Sequence, residues 1–242
     1  MKKIELASYP KCGNTWLRHL LSKHFELNIH VDIPDFHQRH SETERFIKPV
    51  ACENQEFGFY KSHVPNVKAI GPDTIVVIYR HPLDVFLSSL NYFYINGWDE
   101  KYFDGKAVTV EDLKGNGQLD LYFHQFLTES GSGYFDGLLG KLSNYYKYMD
   151  HVKGLPNSIL LKYENLYDER NSYFEKFFSD VLGTRISCAT DLFSSVDDKT
   201  KNSGGNFYWK SKKRNYEEFL TSEQISLYEE RYKSELEVLG YL

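Results

Sequence analysis

Residues 9–16 read Tyr9-Pro10-Lys11-Cys12-Gly13-Asn14-Thr15-Trp16, and they stand between two runs of different hydrophobic period. Ahead of them, Ile4, Leu6 and Ser8 alternate as in the end of a strand. Behind them, apolar residues recur at helical spacing, at Trp16, Leu17, Leu20 and Leu21. The polar loop is therefore predicted to join a strand to a helix. A helix N-terminus presents unpaired backbone N–H groups and the positive end of a dipole, which together suit a phosphate.

The side chains of this loop also fit an anion. Gly13 lets the backbone approach a bound anion closely, Lys11 adds a full positive charge, and Thr15 adds a hydroxyl donor. An ordinary strand-to-helix turn with a helix cap would use similar residues, and glycine motifs this short also occur by chance. The loop alone leaves both interpretations open, so the rest of the chain has to decide.

Composition places the chain among ordinary globular proteins. Of its 242 residues, 41% are hydrophobic and 26% are charged, so we expect one domain over residues 1–242. The formal net charge of −5 argues against broad binding of nucleic acid. Cys12, Cys52 and Cys188 follow no spacing pattern, which predicts neither a disulfide framework nor a zinc site. Because no apolar run has the length of a signal-peptide core or a membrane span, we expect a cytoplasmic protein with no membrane partner.

The order of predicted elements indicates an α/β fold. After the first strand, alternating or β-branched runs predict strands over 57–63, Thr74–Tyr79 and 158–163. Helical periodicity and capping residues predict helices after Pro82, over 134–152, over 173–182 and after Thr221, where Gln224 completes a capping box. Strands that alternate with helices in this way predict a central parallel sheet flanked by helices.

Three long segments lack a regular period. Residues 30–56 and 95–135 are predicted to be variable loops, the second with a short helix near Leu119–Leu127. Segments of this length more often form lids or binding loops than plain connections, so we expect them to bind a substrate. Residues 197–215 are predicted to form a polar, basic loop.

Polar side chains follow three of the predicted strands. The first strand leads into Lys11–Thr15, the second ends on Lys61 and His63, and the third ends on Arg80, with Ser88 on the next helix. Ligands of open α/β sheets bind at the carboxyl ends of strands, where these groups would meet. A second basic cluster follows much later, at Lys210, Lys212, Lys213 and Arg214. Two basic loops and a strand-end arginine suit a ligand with two phosphate groups.

These motifs resemble those of the sulfotransferases that use 3′-phosphoadenosine 5′-phosphosulfate (PAPS). Pro10–Trp16 is similar to their 5′-phosphosulfate loop, Pro-Lys-Ser-Gly-Thr/Asn-Thr-Trp, with Cys12 in place of serine. Arg80–Ser88 resembles their 3′-phosphate motif, in which Arg, Pro and Asp are followed by Ser eight residues after the Arg. Lys61-Ser62-His63-Val64-Pro65 is similar to their Lys-Thr-His-Leu-Pro strand end, and Tyr163-Glu164-Asn165-Leu166 to their Tyr-Glu-Asp-Leu segment. The resemblance spans nearly the whole chain in the right order.

The C-terminal part departs from the family pattern, which is Arg-Lys-Gly-x-x-Gly-x-Trp before a final helix. Aligning that helix on Leu220–Gln224 places Trp209-Lys210-Ser211 over Arg-Lys-Gly and Tyr216 over the Trp. The first Arg, both glycines and the Trp are therefore replaced. Lys210 remains, and the charges of Lys212, Lys213 and Arg214 would compensate for the missing arginine.

The resemblance implies the P-loop-NTPase-like sulfotransferase fold and a reaction. A sulfuryl group would pass from PAPS to a hydroxyl or amine, leaving 3′,5′-adenosine bisphosphate (PAP), with no metal. His63 would take the acceptor proton and Lys11 would stabilise charge on the bridging oxygen of the leaving group. Lys61 and the amides of Cys12, Gly13, Asn14 and Thr15 would hold the sulfuryl and 5′-phosphate oxygens.

The resemblance also implies contacts to the rest of the nucleotide. Arg80, Ser88 and Lys210, with the neighbouring Ser211 and Lys212, would bind the 3′-phosphate. Trp16 and Tyr163 would flank the adenine.

Other interpretations of single residues stay open. His63 could simply end a strand, Arg80 could pair with Asp84, and residues 210–214 could form a solvated loop. Cys12 at a helix N-terminus could be a nucleophile, although the sequence places no partner beside it. The spacing of His30, His37 and His40 matches no common metal site. Tyr92, Phe93, Tyr94 and Trp98 would suit either an acceptor pocket or the core.

Three other functions compete with a sulfotransferase acting on a small molecule. A P-loop nucleotide kinase needs Gly-x-x-x-x-Gly-Lys-Ser/Thr, whereas here the lysine precedes a single glycine. A non-catalytic nucleotide-binding module of the same fold would keep the loop without the chemistry. A Golgi-type carbohydrate sulfotransferase would be expected to show an anchor, a disulfide pattern or an Asn-x-Ser/Thr acceptor, and the sequence shows none. We therefore expect a small-molecule acceptor in secondary metabolism, with a homodimer as a possible assembly.

Overall fold

A computed structural model of the chain describes residues 1–36, 47–63, 65, 70–95, 109–128, 142–189, 191–201 and 212–242. The chain forms two compact units. The first comprises Met1–Arg80 and His151–Gly204, and the second comprises His81–Asp150 and Gly205–Leu242.

The first unit contains a six-stranded sheet. Its strands, in chain order β1 to β6, are Lys2–Ser8, Asp35–Phe36, Val50–Cys52, Gln55–Ser62, Thr74–Tyr79 and Ser158–Lys162. They lie in the order β2-β4-β1-β5-β6 with every pair parallel, while β3 pairs with β4 in the antiparallel direction. The predicted central parallel sheet of an α/β fold is confirmed. Because β1 lies between β4 and β5, the three strand ends with the predicted site residues are neighbours.

Eleven α-helices lie in the described part of the chain. In chain order, α1 to α11 run over Asn14–His24, Pro82–Ser89, Val110–Gly115, Gln118–Leu127, Leu142–Lys153, Tyr163–Asp168, Arg170–Leu182, Leu192–Lys201, Tyr216–Phe219, Ser222–Arg231 and Lys233–Val238. A π-helical segment, Leu90–Ile95, continues α2. None of the helices in the described part of the chain is long and apolar enough to cross a membrane.

The central strands β1 and β5 are buried on both faces. Ile4, Leu6 and Ala7 of β1 are fully buried, as are Ile75 to Ile78 of β5. A continuous β-branched run is what a parallel strand covered on both sides requires. Helix α1 packs against β1 and α8, so the loop from β1 to α1 starts and ends on rigid elements.

A buried arginine of α1 holds the segment that leads to the edge of the sheet. Arg18 is only 7% exposed, and its guanidinium donates to the carbonyls of Ile29 at 2.6 Å and Ile33 at 2.8 Å. Two backbone acceptors compensate the burial of its charge. This contact fixes the chain immediately before β2.

Strands β2 and β3 lie within segment 30–56 and helix α3 lies within segment 95–135, although both segments were predicted to be loops. The loop predicted over 197–215 is partly helical as well. Residues 197–201 belong to α8, Leu192–Lys201, although the sequence analysis assigned them to a polar loop. Helix α8 buries Leu192, Phe193 and Val196 in its first turns, whereas its later residues are polar, so the polar half hides the helical period. Residues 202–211 lie outside the described part.

The second unit is helical among its described residues. The predicted helices after Pro82 and near Leu119–Leu127 are confirmed as α2 and α4. The predicted capping box is confirmed as well, because Gln224 N donates to Thr221 Oγ1 at 3.2 Å and Thr221 N donates to Gln224 Oε1 at 2.8 Å. The helix predicted over 134–152 is observed over Leu142–Lys153, and residues 134–141 lie outside the described part. Phe86, Phe123, Tyr145 and Tyr228 are among its largest buried side chains.

Candidate active site

The loop between β1 and α1 forms a tight turn at the N-terminus of α1. Lys11 has a φ of 69° and Gly13 a φ of 97°, both in the left-handed region. Gly13 is the N-cap of α1, and its carbonyl accepts the first helical hydrogen bond, from Leu17 N at 3.0 Å. The buried Asn14 ties the turn to β1, since its Nδ2 donates to Leu6 O at 2.9 Å. The first N–H groups of α1, including that of Thr15, have no carbonyl within the helix and are oriented for an anion.

Gly13 is required by space as well as by backbone conformation. A Cβ at Gly13 would lie 2.5 Å from Cδ2 of Tyr163. We expect Gly13→Ala to destabilise the fold by about 2 kcal/mol, since it adds both a left-handed alanine and an overpacked contact. Because the loop would move, PAP affinity should fall about tenfold. Thermal unfolding and calorimetry with PAP measure these effects.

Gly117→Ala is a matched control for this substitution. Gly117 is the N-cap of α4 with a φ of 78°, and a Cβ there would have no atom within 4 Å. Gly117→Ala should lower the free energy of unfolding by roughly 1 kcal/mol, through backbone strain alone, and leave PAP affinity unchanged. Equal losses of stability in the two variants would contradict the role of the Tyr163 contact.

Three cations of the first unit repel one another around the loop. Burial, with repulsion from Arg80 and Lys61, lowers the pKa of Lys11 from 10.5 to about 7. The lowered pKa means that, without a bound anion, the surroundings of Lys11 favour its neutral amine over its ammonium form. The arrangement indicates a site for a strongly anionic ligand, and these cations stand at the ends of β1, β4 and β5.

Lys61 is held by an acidic residue that the sequence analysis did not identify. Its Nζ lies 2.5 Å from Asp35 Oδ2, on the neighbouring strand β2. Burial lowers the pKa of Lys61, and the Asp35 carboxylate opposes that shift. Asp35 stands in the polar segment 30–56, where no local pattern marks it, so only the pairing of β2 with β4 reveals the contact.

His63 stands directly after β4 and is oriented by the end of β1. Its Nδ1 lies 2.9 Å from the carbonyl oxygen of Ser8. A ring nitrogen that faces a carbonyl is assigned the hydrogen, which puts the lone pair of a neutral imidazole on Nε2. A proton acceptor at Nε2 is the state that a general base needs.

The structure argues against a nucleophilic Cys12. Its side chain is fully buried, and burial raises the pKa of the thiol far above its usual range. A thiol that stays protonated is a poor nucleophile. Cys12 therefore acts as a small buried residue of the loop.

Aromatic side chains form a wall beside the loop. The Arg80 guanidinium lies 4.8 Å from the ring centre of Tyr163, and the Trp16 ring meets Tyr163 edge-on with centroids 5.5 Å apart. Trp16 Nε1 donates to Asp197 Oδ1 at 3.0 Å, and Asp197 also pairs with Arg170 at 3.4 Å. The first unit thus brings together Trp16 and Tyr163, which were predicted to flank an adenine. Asp197 was missed because its helix was predicted to be a loop.

The remaining predicted site residues lie in the second unit or outside the described part. Ser88 is buried in α2, at 7% exposure, and Lys212 is exposed. Lys210 and Ser211 lie outside the described residues, as do His37, His40 and Trp98. His30 is exposed and Tyr92 is half-buried, and burial raises the pKa of the Tyr92 hydroxyl. Within the described residues, no group of three or more His, Cys, Asp or Glu side chains could hold a metal ion.

Known structures share this fold at low sequence identity. Retinol dehydratase in complex with androsterone and inactive cofactor PAP has a TM-score of 0.57 at 16% identity, and the match covers 98% of this chain and 81% of that one. Mouse sulfotransferase SULT7A1 complexed with PAP also has a TM-score of 0.57, at 14% identity, covering 97% of this chain and 84% of that one. Retinol dehydratase with retinol and PAP gives 0.55 at 14% identity, over 98% and 82%.

The sequence itself settles the family. No functionally curated protein matches it, whereas a family model described as the sulfotransferase domain matches residues 2–240. That match runs through both units and contains every motif on which the resemblance was based. The predicted family is therefore confirmed, and the chain belongs to the sulfotransferase family of enzymes.

Proposed function

We propose that the protein transfers a sulfuryl group from PAPS to a hydroxyl or amine of a small-molecule acceptor. The observation that carries this proposal is the turn at the start of α1, where burial, with repulsion from Arg80 and Lys61, lowers the pKa of Lys11 to about 7. PAP in the similar structures supports the same donor. The androsterone and retinol of the retinol dehydratase structures support a small acceptor.

The residues of the first unit divide the work of the reaction. PAPS supplies the sulfuryl group, and the bond between its sulfur and the bridging oxygen breaks as the acceptor oxygen or nitrogen bonds to sulfur. Lys11 stabilises the negative charge that develops on the bridging oxygen, which leaves with PAP. Lys61 and the amides of Cys12 to Thr15 hold the sulfuryl and 5′-phosphate oxygens. His63 Nε2 takes the acceptor proton.

The adenosine end of the donor uses residues assigned by the resemblance. Trp16 and Tyr163 flank the adenine. Their rings contact each other, and Asp197 accepts a hydrogen bond from Trp16, which supports that assignment. Arg80, Ser88, Lys210, Ser211 and Lys212 bind the 3′-phosphate. No step of this reaction requires a metal, because cationic side chains and amides supply the charge stabilisation.

Residues of segments 30–56 and 95–135 surround the acceptor. The protein works in the cytoplasm as a single domain in secondary metabolism, with no nucleic-acid or membrane partner and as a possible homodimer. Gel filtration at several concentrations tests the homodimer.

Transfer from ³⁵S-labelled PAPS to panels of alcohols, phenols, amines and glycans tests the proposed activity, together with calorimetry of PAP. We expect label on one acceptor class and one PAP released per transfer. Binding of PAP with no transfer to any class would favour a non-catalytic nucleotide-binding module. Magnesium-dependent turnover of ATP would favour a nucleotide kinase, and failure to bind PAP would overturn the assignment of the site.

A further inference from the structure

A buried carboxylate of the second unit binds a distant stretch of main chain. Asp84, in the first turn of α2, is only 1% exposed. Its Oδ2 accepts a hydrogen bond from Arg214 N at 2.8 Å, and its Oδ1 accepts one from Tyr216 N at 3.2 Å. These donors lie 130 and 132 residues away along the chain. A buried carboxylate is costly unless donors compensate it, so two backbone amides at both oxygens indicate a specific anchor.

The same stretch is attached a second time through a ring. The imidazole of His81, the N-cap of α2, stacks on Tyr216 with centroids 4.2 Å apart and planes at 16°. Tyr241 meets the His81 ring edge-on at 4.8 Å. The helix start and the residue after the basic stretch are therefore joined by two independent contacts.

The anchored stretch ends a basic segment, which we define as Lys212, Lys213 and Arg214. A turn closes it, since Asn215 Nδ2 donates to Lys212 O at 3.0 Å, and Arg214 adopts a left-handed φ of 58°. The Arg214 guanidinium pairs with Glu217. The Arg214 side chain thus forms an ion pair within the second unit. Lys212 is exposed at the start of the turn.

We infer that Asp84 is a positioning residue, which fixes the backbone of the basic segment so that Lys212 meets the 3′-phosphate of PAPS. This inference rests on the proposed function. An anchored segment loses little conformational freedom when the phosphate binds, whereas a detached one has to be ordered at the expense of affinity. Asp84 therefore raises affinity for ligands with a 3′-phosphate and leaves the sulfuryl end alone.

Asparagine at position 84 tests this role. The amide of Asp84→Asn keeps one acceptor oxygen but turns an NH₂ group towards the other backbone N–H, so one anchor is lost. Calorimetry compares PAP with 5′-AMP, which lacks the 3′-phosphate. We expect PAP affinity to fall about tenfold and 5′-AMP affinity to stay unchanged. In steady-state assays the KM for PAPS rises while kcat at saturating PAPS is kept.

Two further variants complete the experiment. Glu217→Gln removes the side-chain pair of Arg214 but leaves the backbone anchor, so it should keep the wild-type ratio of PAP to 5′-AMP affinity. Lys212→Ala should weaken PAP binding in the wild type and have little further effect in Asp84→Asn. If Asp84→Asn fails to fold, as judged by circular dichroism and thermal unfolding, His81→Leu removes the second contact and is subjected to the same comparison.

The outcomes separate this inference from the proposed function. A wild type that binds PAP and 5′-AMP equally well would contradict the assigned 3′-phosphate site itself. A wild type that prefers PAP, with the same preference in Asp84→Asn or its replacement His81→Leu, would overturn the inference alone. Equal losses of PAP and 5′-AMP affinity would show that Asp84 serves only the fold.

Discussion

Replacing His63 with alanine is expected to lower kcat for sulfuryl transfer about a thousandfold while PAP binding stays at the wild-type level. The contact of Nδ1 with the Ser8 carbonyl directs the lone pair to Nε2, and no other described residue was assigned the acceptor proton. Without the imidazole, the acceptor has to lose its proton to water. The imidazole takes part only in the chemical step, so its loss leaves the affinity for PAP unchanged.

Single-turnover transfer from labelled PAPS measures the chemical step, and calorimetry with PAP measures binding. His151→Ala is the matched control, because His151 is exposed on α5 and lies outside the proposed site. It should retain the wild-type rate. A His63→Ala protein that transferred sulfuryl groups at the wild-type rate would exclude the general-base role, and one that lost PAP binding as well would indicate a structural role.

The scaffold of the site could be predicted from local sequence. The loop from β1 to α1 was predicted because the hydrophobic period changes from two to about 3.6 residues on either side of it. Strand β5 was predicted because Thr74–Tyr79 is a short β-branched run. Neighbouring strand ends then followed from the general geometry of parallel sheets. These features depend on residues close together in the chain.

The acidic residues that orient the site could not be predicted. Asp35 contacts Lys61 across 26 residues, Asp84 contacts Arg214 across 130, and Asp197 contacts Trp16 across 181. A carboxylate in a polar segment has no local pattern that names its partner, so each contact depends on the assembled tertiary structure. Helix α8 was missed for a related reason, since its polar second half is typical of a solvent-exposed loop.

These acidic residues contact groups of different charge. The cations of the proposed site are proposed to bind the anionic PAPS, yet several of them are buried before PAPS binds. Asp35 compensates the charge of Lys61, and Asp197 accepts a hydrogen bond from Trp16. Burial and repulsion from Arg80 and Lys61 disfavour the charge of Lys11. The donor would therefore relieve repulsion mainly at Lys11, and that difference has a measurable consequence.

Binding of PAP is expected to take up a proton at Lys11, so that its affinity falls about fiftyfold between pH 7 and pH 9. Before binding, the pKa of Lys11 is about 7, because burial and two neighbouring cations disfavour its charge. A bound phosphate reverses this repulsion and raises the pKa towards the ordinary 10.5. Well below pH 7 the ammonium is already present, so Lys11 adds no further change in affinity. Above pH 7 each further unit costs up to tenfold, until the pKa of the bound form is reached.

Calorimetry in HEPES and in Tris measures this proton uptake, since the two buffers have different ionisation enthalpies. The phosphate groups of PAP titrate near pH 6, below this window.

Lys11→Met removes the titrating group, so it should bind PAP with nearly the same affinity at pH 7 and pH 9. It should also lower kcat by about a hundredfold or more, because the bridging oxygen loses its stabilising charge. Lys23→Met is the control, since Lys23 is an exposed lysine of the following helix α1, and it should keep both the pH profile and the rate. An unchanged pH profile in Lys11→Met would assign the proton to another group, and an unchanged kcat would remove Lys11 from the breaking bond.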